Sequence, residues 1–132
     1  GCTGLAVRAS SSVPGLFTPP SIGGRLYVDG QVSSPLPVQA ARSLGADVVI
    51  AVDTTYPPDH ADVTTTAGVL FQSFLIAGNR IKDTEVAAAD IVIRPEIKTS
   101  GQLGFEDRDW LIVSGEVAAR SMRHELLRLT KR

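Results

Sequence analysis

The chain has 132 residues, 43% of them apolar and 20% charged, and a formal net charge of −1. That is the size and balance of one globular domain, and it excludes both a disordered chain and a protein that gathers nucleic acid through its field. A single cysteine, Cys2, excludes an internal disulfide and a thiolate zinc site, and no apolar run approaches the roughly 20 residues that cross a bilayer.

Gly4 to Ala9 is short and mainly apolar, and reads as a strand or the end of one. Val13 to Pro20 holds three prolines, which fix backbone angles and remove donors, so it reads as an ordered apolar loop. Gly23-Gly24 supplies a turn, and Arg25 to Val28 a short strand leading into Asp29-Gly30. Ser33-Ser34-Pro35-Leu36-Pro37 has the chemistry to start a helix from about Pro37 to Leu44, with Gly45 just past its end and Val38, Ala41 and Leu44 on its buried side. Asp47 to Asp53 sets five apolar residues between carboxylates, the pattern of a strand buried on both faces. Strand, short helix and buried strand predict a right-handed βαβ unit.

Beyond a connecting segment over Tyr56 to Asp62, Ala67, Leu70, Phe71, Phe74, Leu75 and Gly78 share one face of a helix over about Thr65 to Arg80, and core packing is the plain reading of its aromatics. A brief helical piece near Thr84 to Ala88 precedes a third strand, Ala89 to Arg94, stopped by Pro95. Arg25 to Val28, Asp47 to Val52 and Ile91 to Ile93 are expected in one mainly parallel sheet covered by helices, an α/β fold. Thr99 to Gly104 reads as a linker to a last helix over about Arg108 to Thr130, where Leu111, Ala118, Met122, Leu126 and Leu129 form one stripe and Met122 is placed in the core. Arg120, Arg123, Arg128, Lys131 and Arg132 crowd its end as a solvated face that suits a helix C-terminus.

Ala6-Val7-Arg8-Ala9-Ser10-Ser11-Ser12-Val13-Pro14-Gly15-Leu16-Phe17, then Tyr27-Val28-Asp29-Gly30, then Pro37-Val38 and Gly45 to Val52, resemble in order and spacing the second half of bacterial patatin-like phospholipase domains. The resemblance covers most of the chain and is most specific in the first 53 residues. It implies a patatin-like α/β fold whose nucleophilic serine sits on an upstream elbow and whose aspartate comes from an Asp-Gly pair. Asp29 matches that aspartate. Residues 1–132 would then be the C-terminal, aspartate-bearing part of a single hydrolase domain, incomplete because the upstream nucleophile half is absent. The implied chemistry is a Ser-Asp dyad without histidine acting on acyl esters of lipids, which leaves His60 and His124 without a role. Gln31 stands where many relatives have glycine or alanine.

The residues give this a physical basis. A serine hydroxyl is a poor nucleophile until a base shares its proton, and a carboxylate can do so; Gly30 lets the chain turn where a Cβ would obstruct it. An Asp-Gly pair also commonly just caps a turn. No serine here has Gly-Xaa-Ser-Xaa-Gly surroundings, and Ser10, Ser11 and Ser12 read as turn residues. Arg8 supports the site or makes an ordinary salt bridge; Pro14, Leu16 and Phe17, with Val13, line an acyl channel beside Asp29 or simply pack.

The start, Gly1-Cys2-Thr3-Gly4, has no initiator methionine and no signal-peptide pattern, so a serine-bearing upstream half is expected, as missing residues or a separate chain. Other expected partners are an acyl-ester or phospholipid substrate and transient contact with a membrane surface, in the cytoplasm, with no nucleic acid. No cofactor is called for, and Asp59, His60 and Asp62 suggest a metal only by proximity. Without a Walker loop or Gly-Xaa-Gly-Xaa-Xaa-Gly a nucleotide enzyme is disfavoured. The main alternative is a nonenzymatic ligand-binding or regulatory α/β module.

Overall fold

Glycine and proline punctuate the first third of the chain, and a computed structural model, describing residues 1–55, 63–98 and 105–129, shows what they separate. Thr3–Ser10 is a helix, α1, where a strand was expected. A six-residue apolar run cannot distinguish a strand from a helical turn by period alone, and only Ala9 of this helix is buried. The Val13 carbonyl then accepts the amides of Leu16 and Phe17, both at 3.1 Å, closing a turn that Gly15 completes at φ +85°.

Ser21–Ile22 (β1) and Arg25–Leu26 (β2) pair antiparallel, in register Ser21↔Leu26 and Ile22↔Arg25, about Gly23 and Gly24 at φ +58° and +77°. Positive φ at both central positions suits a tight two-residue hairpin turn. This corrects two expectations: the strand ends at Leu26 instead of Val28, and it lies outside the parallel sheet. The βαβ unit therefore does not form, because a partner two residues away closes at far lower entropic cost than one beyond a helix.

Gly30–Val32 is a single 3-10 turn, and Val38–Ser43 forms α2, with Pro37 before it and Gly45 after it at φ +93°. Val38 is buried, but Leu44 is 89% exposed, against expectation, since it caps a helix too short to turn it inward. Ile50–Val52 (β3) and Ile91–Ile93 (β4) pair in parallel, Ile50 against Ile91 and Val52 against Ile93. Between them runs one 21-residue helix, α3, Thr66–Val86, which absorbs most of the separate helical piece expected near Thr84. The fold is thus α/β, with one antiparallel and one parallel pair among the described residues in place of a mainly parallel sheet.

The core is small. Leu36, Val38, Val49 and Ala51 pack together, with Val86, Ala88 and Ala89 against them. On β3 only alternate residues are covered, and Ile50 and Val52 are about half exposed, so the strand is not buried on both faces. Arg42 staples this layer: its guanidinium donates to the carbonyls of Ala46, Asp47 and Ala88 and pairs with Asp90, whose carboxylate also receives the Val49 amide at 2.8 Å.

The last helix is two, Arg108–Ser121 (α4) and Arg123–Leu129 (α5), since the chain leaves helical geometry at Met122. Met122 is half-buried instead of core, as are Leu111, Ala118, Leu126 and Leu129. The Ser114 hydroxyl, donating to the Glu96 carbonyl at 2.7 Å, ties α4 to the chain leaving β4. Tyr56 to Asp62, Thr99 to Gly104, and Thr130, Lys131 and Arg132 lie outside the described residues.

Candidate active site

The turn after the hairpin is fixed by its own first residue. Asp29 precedes the 3-10 turn, and its Oδ1 accepts the Gln31 amide at 2.8 Å, an aspartate closing a turn two residues on. Its own amide donates to the Ser12 carbonyl at 2.9 Å. Ser12 is 2% exposed, and its hydroxyl donates to the Arg8 carbonyl at 2.7 Å, so the end of α1 and the Asp29 turn form one unit. Asp29 is half-buried and, among the described residues, its Oδ2 accepts no hydrogen bond and enters no ion pair.

On its other side the turn rests on α3. A Cβ built on buried Gly78 would lie 3.5 Å from Gln31 Cγ and 3.6 Å from the Gln31 carbonyl, so the helix and the turn touch where the helix is thinnest. One helical turn earlier begins an apolar cleft of about 580 Å³, lined by Pro14, Gly15 and Leu16 on one wall and by α3 from Ala67 to Phe74 on the other. Both routes out of Asp29 reach it: through Ser12 to Pro14, and through Gly78 to Phe74. The rings of Phe71 and Phe74 are tilted by 33° with centroids 6.4 Å apart.

Of the expected supporting residues, Gly30 sits beside Ser10, whose Oγ would be 3.9 Å from a Cβ at that position. Pro14 and Leu16 line the cleft; Phe17 does not, and is 53% exposed. Arg8 is exposed and, among the described residues, enters no ion pair; it contributes its carbonyl to Ser12. Ser12 is committed to that bond, and Ser10 ends a helix, not a strand-to-helix elbow. Leu70, Phe71 and Phe74 were expected in the core, yet Leu70 is 67% exposed and all three line the cleft. Their spacing showed a shared face; nothing local told whether chain or a cleft lies over it.

A second polar centre closes the parallel pair. Asp53 follows β3, donates its amide to the Ile93 carbonyl at 2.9 Å, and holds its carboxylate within 3.3 Å of Lys82 Nζ and 3.5 Å of Arg94 Nε. Thr55 gives it a hydroxyl and an amide, and Lys82 also donates to the Thr55 hydroxyl at 2.9 Å. Burial pushes the Asp53 pKa up, but the bonds from Thr55 and the charge and bond of Lys82 outweigh it, and the carboxyl lies below its ordinary value of 3.8. With both oxygens engaged, it is a lock between β3, α3 and β4. Among the described residues no group of three or more His, Cys, Asp or Glu side chains is placed to hold a metal ion, and no helix is long and apolar enough to cross a membrane. Asp59, His60 and Asp62 fall outside those residues.

The stretch that builds the Asp29 turn is also the stretch that other proteins share. Residues 5–42 match the family model of patatin-like phospholipases. An uncharacterised NTE-family protein of Mycobacterium bovis is 43% identical over 47 residues, which is 36% of this chain and 13% of that protein, and one of Mycobacterium tuberculosis matches to the same extent. Another uncharacterised NTE-family protein of Mycobacterium tuberculosis is 27% identical over 141 residues, covering 88% of this chain and 24% of its own length. The chain thus spans 13% to 24% of the length of these curated relatives.

These similarities are to patatin-like phospholipases over residues 5–42 and to NTE-family proteins over 36% to 88% of the chain. They also correct the expectation that most of the chain is the aspartate-bearing C-terminal part of such a domain. The family match is confined to an N-terminal stretch and stops at residue 42, before β3, α3, β4, α4 and α5. The pattern from Gly45 to Val52 lies beyond the family match and recurs at Ala89 to Ile93, as expected of an apolar strand entering a sheet.

Proposed function

We propose that this protein takes part in acyl-ester hydrolysis, with Asp29 as the base of a Ser-Asp dyad whose serine comes from outside these 132 residues. The observation that carries the reading is the half-buried Asp29 carboxylate, with Oδ2 unengaged among the described residues, on a turn that packs against the helix walling an apolar cleft and within the stretch similar to patatin-like phospholipases. In the reaction the serine Oγ forms a bond to the ester carbonyl carbon while its proton passes to Asp29. The C–O bond to the alcohol then breaks, and Asp29 returns the proton to the departing alkoxide. Water, deprotonated by the same carboxylate, then bonds to the acyl carbon, the bond to the serine Oγ breaks, Asp29 returns the proton to that oxygen and the acyl group leaves as the acid; backbone donors from the serine-bearing part stabilise the oxyanion. Substrates are acyl esters, phospholipids among them.

The surface of β3 supports a further packed segment. Among the described residues it has one strand neighbour, and a groove of about 330 Å³ runs along it, lined by residues 35–38 and 49–52. An apolar strand with an unpaired edge favours pairing with more chain. The 132 residues alone are accordingly expected to turn over no ester.

Asp29→Asn tests the base: it keeps the shape and loses the basic carboxylate, so ester turnover by the intact protein should fall about 100-fold or more while the fold persists. Normal turnover in a folded Asp29→Asn variant overturns the dyad and leaves Asp29 only closing its turn through Gln31, whereas no turnover by the unsubstituted intact protein favours the nonenzymatic ligand-binding module. Mapping a fluorophosphonate label should find a serine outside this stretch; a label on Ser10, beside Gly30, overturns the source assigned to the nucleophile.

A further inference from the structure

The cleft between the Pro14 loop and α3 has a direction, because the candidate carboxylate is near only one of its ends. Asp29 belongs to the turn that packs on Gly78, and Gly78 lies one helical turn beyond Phe74. From Phe74 the cleft therefore runs away from Asp29, back along α3 to Ala67 and Gly68. The eight residues from Ala67 to Phe74 span about 10 Å, seven rises of roughly 1.5 Å each. Among the described residues no charged or hydrogen-bonding side chain lines it, which suits a ligand that is apolar and uncharged where it lies. The volume, about 580 Å³, is that of a small-molecule site.

We propose that this cleft holds the acyl chain of the ester, carbonyl end toward Asp29 and methyl end at Ala67 and Gly68, and that those two small residues set a medium chain length. Bonds of roughly 1.5 Å, projecting about 1.25 Å along an extended alkyl chain, fill the 10 Å length with about eight carbons. The half-buried rings of Phe71 and Phe74 wall the chain from its carbonyl end to its middle. A longer chain passes beyond Ala67 and, among the described residues, gains no further contact in the cleft. The assignment rests on Asp29 as the base, since it takes its polarity from that residue.

The test separates binding from turnover. Decanoate and hexadecanoate compete with dansyl-labelled undecanoic acid on the intact protein and on Ala67→Trp, which fills the far end from an exposed position in the first turn of α3; Ala67→Leu is a second, milder filling. Decanoate should displace the probe at least as well as hexadecanoate, and both variants should weaken decanoate about tenfold or more. The ratio of kcat/KM for decanoyl over butyryl ester should fall with them. Unchanged decanoate affinity and an unchanged ratio in folded Ala67→Trp and Ala67→Leu overturn the cleft assignment. Asp29→Asn keeps the two failures apart: it should cut turnover about 100-fold or more without weakening decanoate, whose carboxylate then no longer faces a like charge. Lost decanoate binding in the Ala67 variants together with normal turnover in Asp29→Asn leaves the cleft as an apolar-chain site and overturns its orientation toward Asp29.

Discussion

Glu85 is the residue whose loss should disturb this fold most for its size. It is 7% exposed and, among the described residues, has no cationic partner; its carboxylate instead accepts the Ser34 hydroxyl at 2.6 Å and the buried Leu36 amide at 3.2 Å. It thereby clips the chain leaving the Asp29 turn to the end of α3 and seats Leu36 in the core. Glu85→Ala removes both bonds and leaves the Leu36 amide without its acceptor. Hydrogen bonds to a charged group are each worth about 1.5 to 3 kcal/mol, and relief of the carboxylate's desolvation returns part of this, so the net loss is about 2 to 3 kcal/mol. Against a total stability of roughly 7 to 20 kcal/mol for a chain of this length, that is a substantial fraction. At about 3 to 5 °C per kcal/mol, Tm should fall by about 6 to 15 °C. Glu85→Gln keeps an acceptor for Leu36 and can donate to the Ser34 oxygen, so it should cost only about 1 kcal/mol. Urea denaturation of both variants and of Ser34→Ala measures this. A Glu85→Ala loss below about 0.5 kcal/mol, or equal losses in the alanine and glutamine variants, refutes the clip.

Gly78→Ala should raise stability by about 0.5 to 1 kcal/mol in thermal unfolding, since a Cβ there meets Gln31 only at ordinary contact and glycine weakens a helix interior. Gly78→Leu should push Gln31 and the Asp29 turn off α3 and lower kcat/KM of the intact protein by about 100-fold. Because the Asp53 pKa is lowered on folding, the stability its ionised form contributes is complete above the ordinary value of 3.8 and is lost as pH falls through the lower folded value. Asp53→Asn should therefore be the less stable protein near neutral pH, and urea midpoints taken from about pH 5 to about pH 2.5 should converge. Arg42→Ala, which strips the donors from three carbonyls and the partner from Asp90, should cost about 2 kcal/mol in the same urea assay.

The sequence by itself determined what short range controls. Gly23-Gly24 made a hairpin turn, Pro37 and Gly45 bounded α2, Pro95 followed β4, and the Asp-Gly pair marked the turn that bears the candidate carboxylate. Each follows from backbone angles or missing donors, which need no distant partner. Only the tertiary structure decided what lies over each apolar face. Arg25 and Leu26 found β1 and not the parallel sheet, Ile50 and Val52 kept one side uncovered, and Leu70, Phe71 and Phe74 became a cleft wall instead of core. Periodicity states that residues share a face and never what meets it, so a core and a ligand cleft carry the same pattern. The contact of Gly78 with Gln31, which brings that cleft to Asp29, joins residues 47 positions apart and could be fixed only by packing.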